Sequence, residues 1–378
     1  MTPPAPGQTS SLGSAPHVSD EASISADRDR LDRARAEFDA EVIYLNTTTM
    51  GLPPRRSLLA LQAALNDWRR GTANPLDYDV VLASARASYA ELVSVDPSRV
   101  AVGSQVSVFA GLVAASLPPG SDVLTAAGDF TSILFPFHAQ AGRGVTVREV
   151  PLERLADAVT ARTALVSVSA VQSADGRVAD LDALQAACAG TGTKILLDTT
   201  QAVGWLPINA GDFAYTVCGG YKWLLAPRGT AFFTVHPDLS DALVPNHAGW
   251  YAGQDRWSSI YGTPLRLAAD ARRFDLSPAW HSWVGAAPAL ALLNEVGLAA
   301  LHTHGLGLAE RFRSATGLPS SDSAIVSVLA DDLVPDLMSA AGIVGSERAG
   351  RLRLSFHVST SEQDTDRAAA VLAGHLRP

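Results

Sequence analysis

The chain has 378 residues, enough to bury a large core in two or three domains. Its formal charge of −9 argues against nucleic acid and anionic membrane as partners, since either calls for a basic patch. Two cysteines, Cys188 and Cys218, are too few for a disulfide framework or a zinc site, so no metal is expected and a reducing cytoplasm is the natural compartment.

Residues 1–25 are rich in Pro, Ser, Ala and Gly and lack the basic start and apolar run of a signal peptide, so they read as a disordered tail. Asp27 to Phe38 interleaves charges with Leu and Ala at helical spacing, and Val42 to Asn46 reads as a short strand leading into TTTMGLPP. Gly51, Pro53 and Pro54 make that run a turn. Helices are predicted at Arg56 to Arg70 and Tyr78 to Val93, each with one apolar face. Val100 to Gln105 is a strand that breaks at Gly103-Ser104 into an apolar helix, Val106 to Leu117. Glycine lets backbone come close there, and a helix start offers unpaired amides to a dianion such as phosphate, although a Gly-Ser before a helix can also be a plain cap.

Asp122 to Ala126 is the next strand, running into AGDFTSILFPF, and Ala164 to Val171 is a β-rich run ending at QSADG. Leu181 to Cys188 supplies a crossover helix to KILLDTTQAVGWLPINAGDFAYTVCGGYKWLLAPRGTAFFTV, residues 194–235. Here the apolar run Ile195 to Leu197 stops at Asp198, and a second, Tyr215 to Cys218, passes through Gly219-Gly220 into Tyr221-Lys222. In an open α/β sheet the carboxyl ends of strands line the ligand crevice, so Asp198 and Lys222 are predicted to share a cavity. A carboxylate and an amine presented together suit pyridoxal 5′-phosphate. That cofactor needs a lysine to hold it as a Schiff base and an acid to keep its pyridine nitrogen protonated. The alternative reading has Asp198 capping a turn and Lys222 as a solvated charge.

After Val235, NHAGWYAGQDRWSSIYG sets Trp250, Tyr251, Trp257 and Tyr261 among glycines and polar residues with no helical or strand period, the pattern of an interface or pocket loop. Long helices are predicted at Gly285 to Glu295 and Leu298 to Ala315, strands near Ala324 to Leu329 and Arg351 to His357, and a closing helix from Ser361.

Asp198, Gln201 and Lys222 complete an Asp-x-x-Gln motif with the lysine 222 − 198 = 24 residues on, and with it the chain resembles the fold-type I pyridoxal-phosphate enzymes of aminotransferase class V, the group of cysteine desulfurases, kynureninases and isopenicillin N epimerase. Tyr221 and Trp223-Leu224 around the lysine look more like the kynureninase and epimerase branches. The resemblance implies an α/β fold: a large domain with a mixed, mainly parallel seven-stranded sheet, plus a small C-terminal α/β domain. On this division residues 26–55 pack with the small domain, 56–262 form the cofactor domain and 263–378 the small one. It also implies a homodimer with shared active sites, and an amino-acid substrate.

Residue by residue, the resemblance implies that Ser104 and Gln105 hold the phosphate and that Phe130, in the slot of a desulfurase histidine, stacks on the ring without acid–base work. Phe130 as ordinary core is the other reading. Ser173 stands where relatives carry an Asn that bonds the ring hydroxyl or the substrate, with Gln172 beside it. Tyr221 joins Lys222, Asp198 and Gln201 as a cofactor contact, and Trp250 is expected to serve the partner's site. Thr47 to Met50, Thr48 in particular, either touch substrate or only form the turn. Arg353, in an Arg-x-Ser segment with Ser355, binds the substrate α-carboxylate, for which a guanidinium fork is the natural clamp. Arg351 shares its strand face, so either arginine is eligible.

These groups imply loss of the α-proton or the carboxylate of an amino acid. No cysteine lies between residues 317 and 353, where desulfurases keep their nucleophile, so persulfide chemistry is not expected. A composition rich in Ala, Arg and Gly fits secondary metabolism, antibiotic biosynthesis included, and the aromatic loop suits a bulky substituent. The favoured reading is therefore carbon–sulfur cleavage by β-elimination of an S-conjugated cysteine. A decarboxylating or oxidative deaminase, aminotransferase or epimerase is the alternative, and a non-catalytic homologue a third.

Overall fold

The structure is a computed structural model and describes residues 18–378. Its strands in chain order are Ile43–Tyr44 (β1), Val100–Gly103 (β2), Asp122–Ala126 (β3), Thr146–Val150 (β4), Thr163–Ser169 (β5), Lys194–Asp198 (β6), Tyr215–Gly219 (β7) and Ala231–Val235 (β8). Then follow Ile325–Ala330 (β9), Ile343–Val344 (β10), Ser346–Arg348 (β11), Arg351–Ser355 (β12) and Leu376–Arg377 (β13). Seven of them form one sheet in the order β2-β8-β7-β6-β5-β3-β4. All its neighbouring pairs are parallel except those of β8, which is antiparallel to both β2 and β7. The mixed, mainly parallel sheet expected from the sequence is present.

The central strand β6 reads as an unbroken apolar run up to Asp198 because both its faces are covered, whereas the edge strand β4, TVREV, is partly exposed. In β6, Ile195 and Leu197 point into one core with Val166, Val168 and Phe232, while Leu196 points into the other with Val123, Leu165 and Phe233. Polarity is therefore expelled to the strand ends, where the chemistry stands. A smaller antiparallel sheet, β11-β12-β9-β13, covers a third core of Leu308, Phe312, Val326, Leu354 and Phe356. Ile43 and Leu45 belong to that core, and β1 pairs in parallel with β10, so the segment before residue 55 is tied to the small sheet.

Two boundaries move. The first helix spans Val18–Arg35, so residues 18–25, assigned to a disordered tail from sequence, are helical; residues 1–17 of that tail lie outside the described residues. The stretch from Val18 to Arg35 contains no Gly or Pro, so nothing in the backbone stops the helix at Asp27. The helix Trp280–Val296 shares the large core through Trp283, Leu290 and Leu293. The large core therefore continues past residue 263, and reaches Leu301, Ile325 and Val358 as well. Among the described residues no single helix is long and apolar enough to cross a membrane; Trp280–Val296 and Leu298–Thr316 meet at 83°.

Candidate active site

Asp198 ends β6 and Gly219 ends the adjacent β7, so the turn after β7 carries Tyr221 and Lys222 back over the Asp198 carboxylate. Both charged side chains are buried, at 4% and 5% exposure. Burial pushes the Asp198 carboxyl up to about 6, with the Thr200 hydrogen bonds and the Lys222 charge acting in the opposite sense. Burial likewise pulls the Lys222 ammonium down to about 8. An amine that sheds its proton this readily is available as a nucleophile or base near neutral pH. Thr200 holds the Asp198 carboxylate in place, its N–H donating to Oδ1 at 2.8 Å, and the carboxylate borders the cavity. This pocket side of Asp198 is where a cationic ring nitrogen would sit.

The lysine turn is packed to near contact. A Cβ on Gly51 would lie 2.1 Å from the Lys222 carbonyl, and Gly51 N–H donates to Tyr221 O at 2.9 Å, so only glycine lets the TTTMG run close over the turn. Leu225, which donates to Lys222 O at 3.0 Å, takes a left-handed φ of 58°, a conformation costing about 1–3 kcal/mol that tight surroundings must hold.

The walls come from distant segments. Ser104, Gln105, Val106 and Ser107 line the pocket at the start of the helix Val106–Ser116, whose N-cap Gln105 makes no side-chain cap bond. The partial positive charge of that helix end faces the cavity, as a phosphate requires. Phe130 is 44% exposed, so it is a pocket wall and not core, and its ring centroid lies 5.3 Å from Lys222 Nζ. Buried Asp129 holds it there, accepting from Phe130 N (2.7 Å), Ser169 N (2.8 Å) and Oγ (2.6 Å), and Gln172 Nε2 (3.2 Å). Tyr221 forms another wall, with Lys222 Nζ 5.6 Å from its ring.

Gln201 is fixed from three sides. Its Nε2 donates to Thr48 O (3.0 Å) and Ser173 Oγ (3.1 Å), and its Oε1 accepts from Trp223 Nε1 (2.8 Å). Ser173 also meets Arg353, whose Nη1 donates to its carbonyl and, at 3.3 Å, to its hydroxyl. Arg353 is 1% exposed, and among the described residues no carboxylate pairs with it. Burial drags its guanidinium down to about 10, with Arg348 contributing. A buried, unpaired guanidinium beside a cavity is poised for an anionic ligand. Arg351 instead donates to Ser327 O at 3.1 Å and lines a separate cleft, whereas Arg353, though not itself in the pocket wall, backs the wall residue Ser173 and its charge reaches Lys222.

The geometry sharpens the sequence reading at three places. Thr48 is buried and its hydroxyl turns to Ser355 Oγ at 3.4 Å, while its neighbour Thr49 presents the hydroxyl that accepts from Arg353 Nη2 at 3.0 Å. Gln172 is committed to Asp129 and does not line the pocket. The aromatic loop is divided: Tyr251 is 1% exposed and its hydroxyl donates to Asp79, and Trp257 Nε1 donates to Asp79 at 3.0 Å, but the Trp257 and Tyr261 side chains stay exposed, at 41% and 89%. The Arg256 guanidinium lies 4.2 Å from the Tyr251 ring centroid. Trp250 packs on this cluster and does not line its own chain's pocket. Thr200, Arg228, Thr230 and Ser132, not picked out from sequence, do line it. Only long-range folding brings them there, although Thr200 falls inside the Asp-x-x-Gln run. A larger cleft, between residues 152–184 and 313–328, has no comparable buried acid–amine pair, so chemistry rather than size selects the site.

Residues 82–321 match the family described as Aminotransferase class-V. The chain belongs to that family. Its cofactor is pyridoxal phosphate, and the chain is an enzyme of that class. It is 30% identical over 230 residues to the uncharacterized aminotransferase YcbU of Bacillus subtilis, a match spanning 58% of this chain and 60% of that protein. It is 26% identical over 393 aligned positions to isopenicillin N epimerase of Streptomyces clavuligerus, covering 90% of this chain and 96% of that one. Among solved structures, the cystine C-S lyase C-DES in complex with cysteine persulfide shares the fold with a TM-score of 0.79 at 22% identity, covering 89% of this chain and 98% of that one. The class-V cofactor fits the residues present. An amine, an acid, a helix N-terminus and an aromatic wall surround one cavity, which the class-V chemistry calls for.

Proposed function

We propose that the chain cleaves a carbon–sulfur bond in an S-conjugated cysteine by β-elimination, with Lys222 as the covalent anchor and base, Asp198 on the ring nitrogen, the Ser104–Gln105 helix end on the phosphate and Phe130 against the ring face. Gln201 and Ser173 stand at the ring hydroxyl. The observation that carries an amino-acid substrate is Arg353, a buried cation without a carboxylate of its own, which stands behind the pocket residue Ser173 and whose charge reaches Lys222. When bound, pyridoxal phosphate supplies the electron sink that acidifies the substrate α-carbon.

Lys222 then takes the α-proton, for which its lowered affinity for a proton suits it, and Arg353 keeps the carboxylate in place. The C–S bond breaks with its electron pair leaving on sulfur, which departs as a thiol. Hydrolysis of the remaining amino-acid half gives pyruvate and ammonia. Phe130 offers no proton where a desulfurase histidine would, which favours a leaving group that departs unaided. Product analysis with S-substituted cysteines tests this: pyruvate and free thiol in equal amounts are expected, and their absence across a range of substituents overturns it. A second reading, epimerisation, is favoured by the near end-to-end match to isopenicillin N epimerase, and it would show as a D-amino acid without thiol.

Arg353→Lys is expected to raise KM by about tenfold to a hundredfold while the holoenzyme spectrum stays intact, because an ammonium cannot make two parallel bonds. An unchanged KM would remove Arg353 from the carboxylate.

A protein-bound persulfide is not part of this chemistry. Burial pushes the Cys188 thiol up to about 11 and the Cys218 thiol up to about 12, so neither is a thiolate at neutral pH. Cys188→Ser, Cys218→Ser and the double variant should keep turnover apart from packing losses. A folded but dead cysteine-free variant, or a trapped persulfide, contradicts this.

The protein should also be a homodimer with shared sites. Trp257 and Tyr261 of the aromatic loop favour this by their exposure, and Leu58, Leu59, Leu65, Trp68, Leu76 and Val80 leave further apolar surface exposed on the helices Arg55–Arg70 and Pro75–Leu92. Trp250 at the partner's site belongs with this proposal. Obligate interfaces bury more than about 2,000 Å² in total, so dilution to micromolar protein should yield no monomer. An active monomer at that concentration refutes it.

A further inference from the structure

Two arginines converge on one hydroxyl. Arg353 Nη2 donates to Thr49 Oγ1 at 3.0 Å, and Arg348 Nη2 approaches the same oxygen at 3.4 Å. They stand on the two strands of one hairpin, where Ser346 of β11 faces Arg353 of β12 and Arg348 faces Arg351. Ala349 (φ 50°) and Gly350 (φ 73°) close the hairpin in consecutive left-handed conformations, the tight two-residue turn that sets strand register and so fixes where Arg348 emerges. Arg353 is buried against Ser173, whereas Arg348 is exposed. The pair is layered, with Thr49 between an inner and an outer guanidinium.

Among the described residues neither arginine has a carboxylate within 4.0 Å, and the remaining contact of Arg348 is to the Glu347 carbonyl, at 2.6 Å. Other arginines of this acidic chain are paired, as in Arg86–Asp275, Arg311–Asp366 and Arg55–Asp39, or, like buried Arg313, bond backbone carbonyls away from the pocket. Neither lines the pocket itself, but both stand near enough for their charges to act on Lys222, and two cations without a carboxylate there are a place for two anionic groups, of which an α-carboxylate supplies one.

We propose that Arg348 is a specificity-determining residue that receives a second carboxylate, carried at the far end of the substrate's side chain, while Arg353 receives the α-carboxylate. The substrate class is then an amino acid with an acidic side chain, and for an S-conjugated cysteine a substituent that ends in a carboxylate. This rests on the reading of Arg353 given above. The exposure of Arg348 places the acidic end at the rim, where it can remain partly in water while the α-carbon is held at Lys222.

The test measures dissociation constants of the holoenzyme, by its spectral change, for two acid–amide pairs: L-glutamate with L-glutamine, and S-carboxymethyl-L-cysteine with S-carbamoylmethyl-L-cysteine. Each pair differs in the distal charge, and the first has no C–S bond, so its result is independent of the elimination reading. The acid is expected to bind about tenfold more tightly than its amide in at least one pair, and in Arg348→Gln acid and amide should bind alike. No acid preference in the wild-type protein overturns the proposal. So does a preference that survives Arg348→Gln, or a variant that weakens acid and amide equally. If none of the four compounds binds, the amino-acid reading of the pocket falls with it, a result distinct from binding without preference.

Discussion

Lys222→Ala abolishes both turnover and covalent retention of pyridoxal phosphate. The chain has two lysines, and Lys194 is the exposed first residue of β6, at the opposite end of the strand from Asp198, so no amine is placed to substitute. The change also removes the base. Dialysis should strip the cofactor from the variant while the wild-type protein retains it, and far-ultraviolet circular dichroism should show the fold intact. The replaced side chain is almost wholly buried, so loss of its charge relieves a desolvation cost, and gross unfolding is not expected. A variant that keeps measurable elimination at the wild-type rate contradicts the assignment.

Asp198→Asn is the second large effect. Burial pushes this carboxyl up to about 6, so its ionised form is held at a cost that a protonated ring nitrogen opposite would repay. An amide cannot hold that proton. The cofactor should remain attached through Lys222 and the phosphate, while α-proton loss slows by several orders of magnitude, each tenfold being about 1.4 kcal/mol of barrier. The measurement is exchange of the substrate α-proton with deuterated solvent. An unchanged exchange rate means that Asp198 does not act on the ring nitrogen.

How much of this was legible in the chain differs by element. The strands β6 and β7 could be read closely because each is an apolar run cut by a residue that cannot continue it, Asp198 in one case and Gly219-Gly220 in the other. The open helix end at Gln105 was visible for the same local reason. Loop contacts were less legible. Whether Thr48 or Thr49 faces the site is a one-residue matter of rotation, decided by Ser355, which lies 307 residues away and takes the Thr48 amide at 3.2 Å. The aromatic loop has no period to show which of its rings turn inward; Asp79, 172 residues before Tyr251, draws that ring into the core while Tyr261 stays exposed. Asp129 gave no signal of its role, since a carboxylate that gathers amides from two later segments looks in sequence like a turn residue. The helix across residues 18–25 is masked in sequence by the Pro- and Gly-rich stretch that precedes it, although from Val18 to Arg35 there is no helix breaker.

The central claim is that one lysine at the end of β7, facing Asp198, carries the cofactor. Reducing the wild-type holoenzyme with borohydride fixes the pyridoxyl group on whichever amine holds it, and peptide mapping then finds that amine. The account predicts a single labelled peptide, with the label on Lys222; label on Lys194, or none on any lysine of a protein that still binds pyridoxal phosphate, would contradict it.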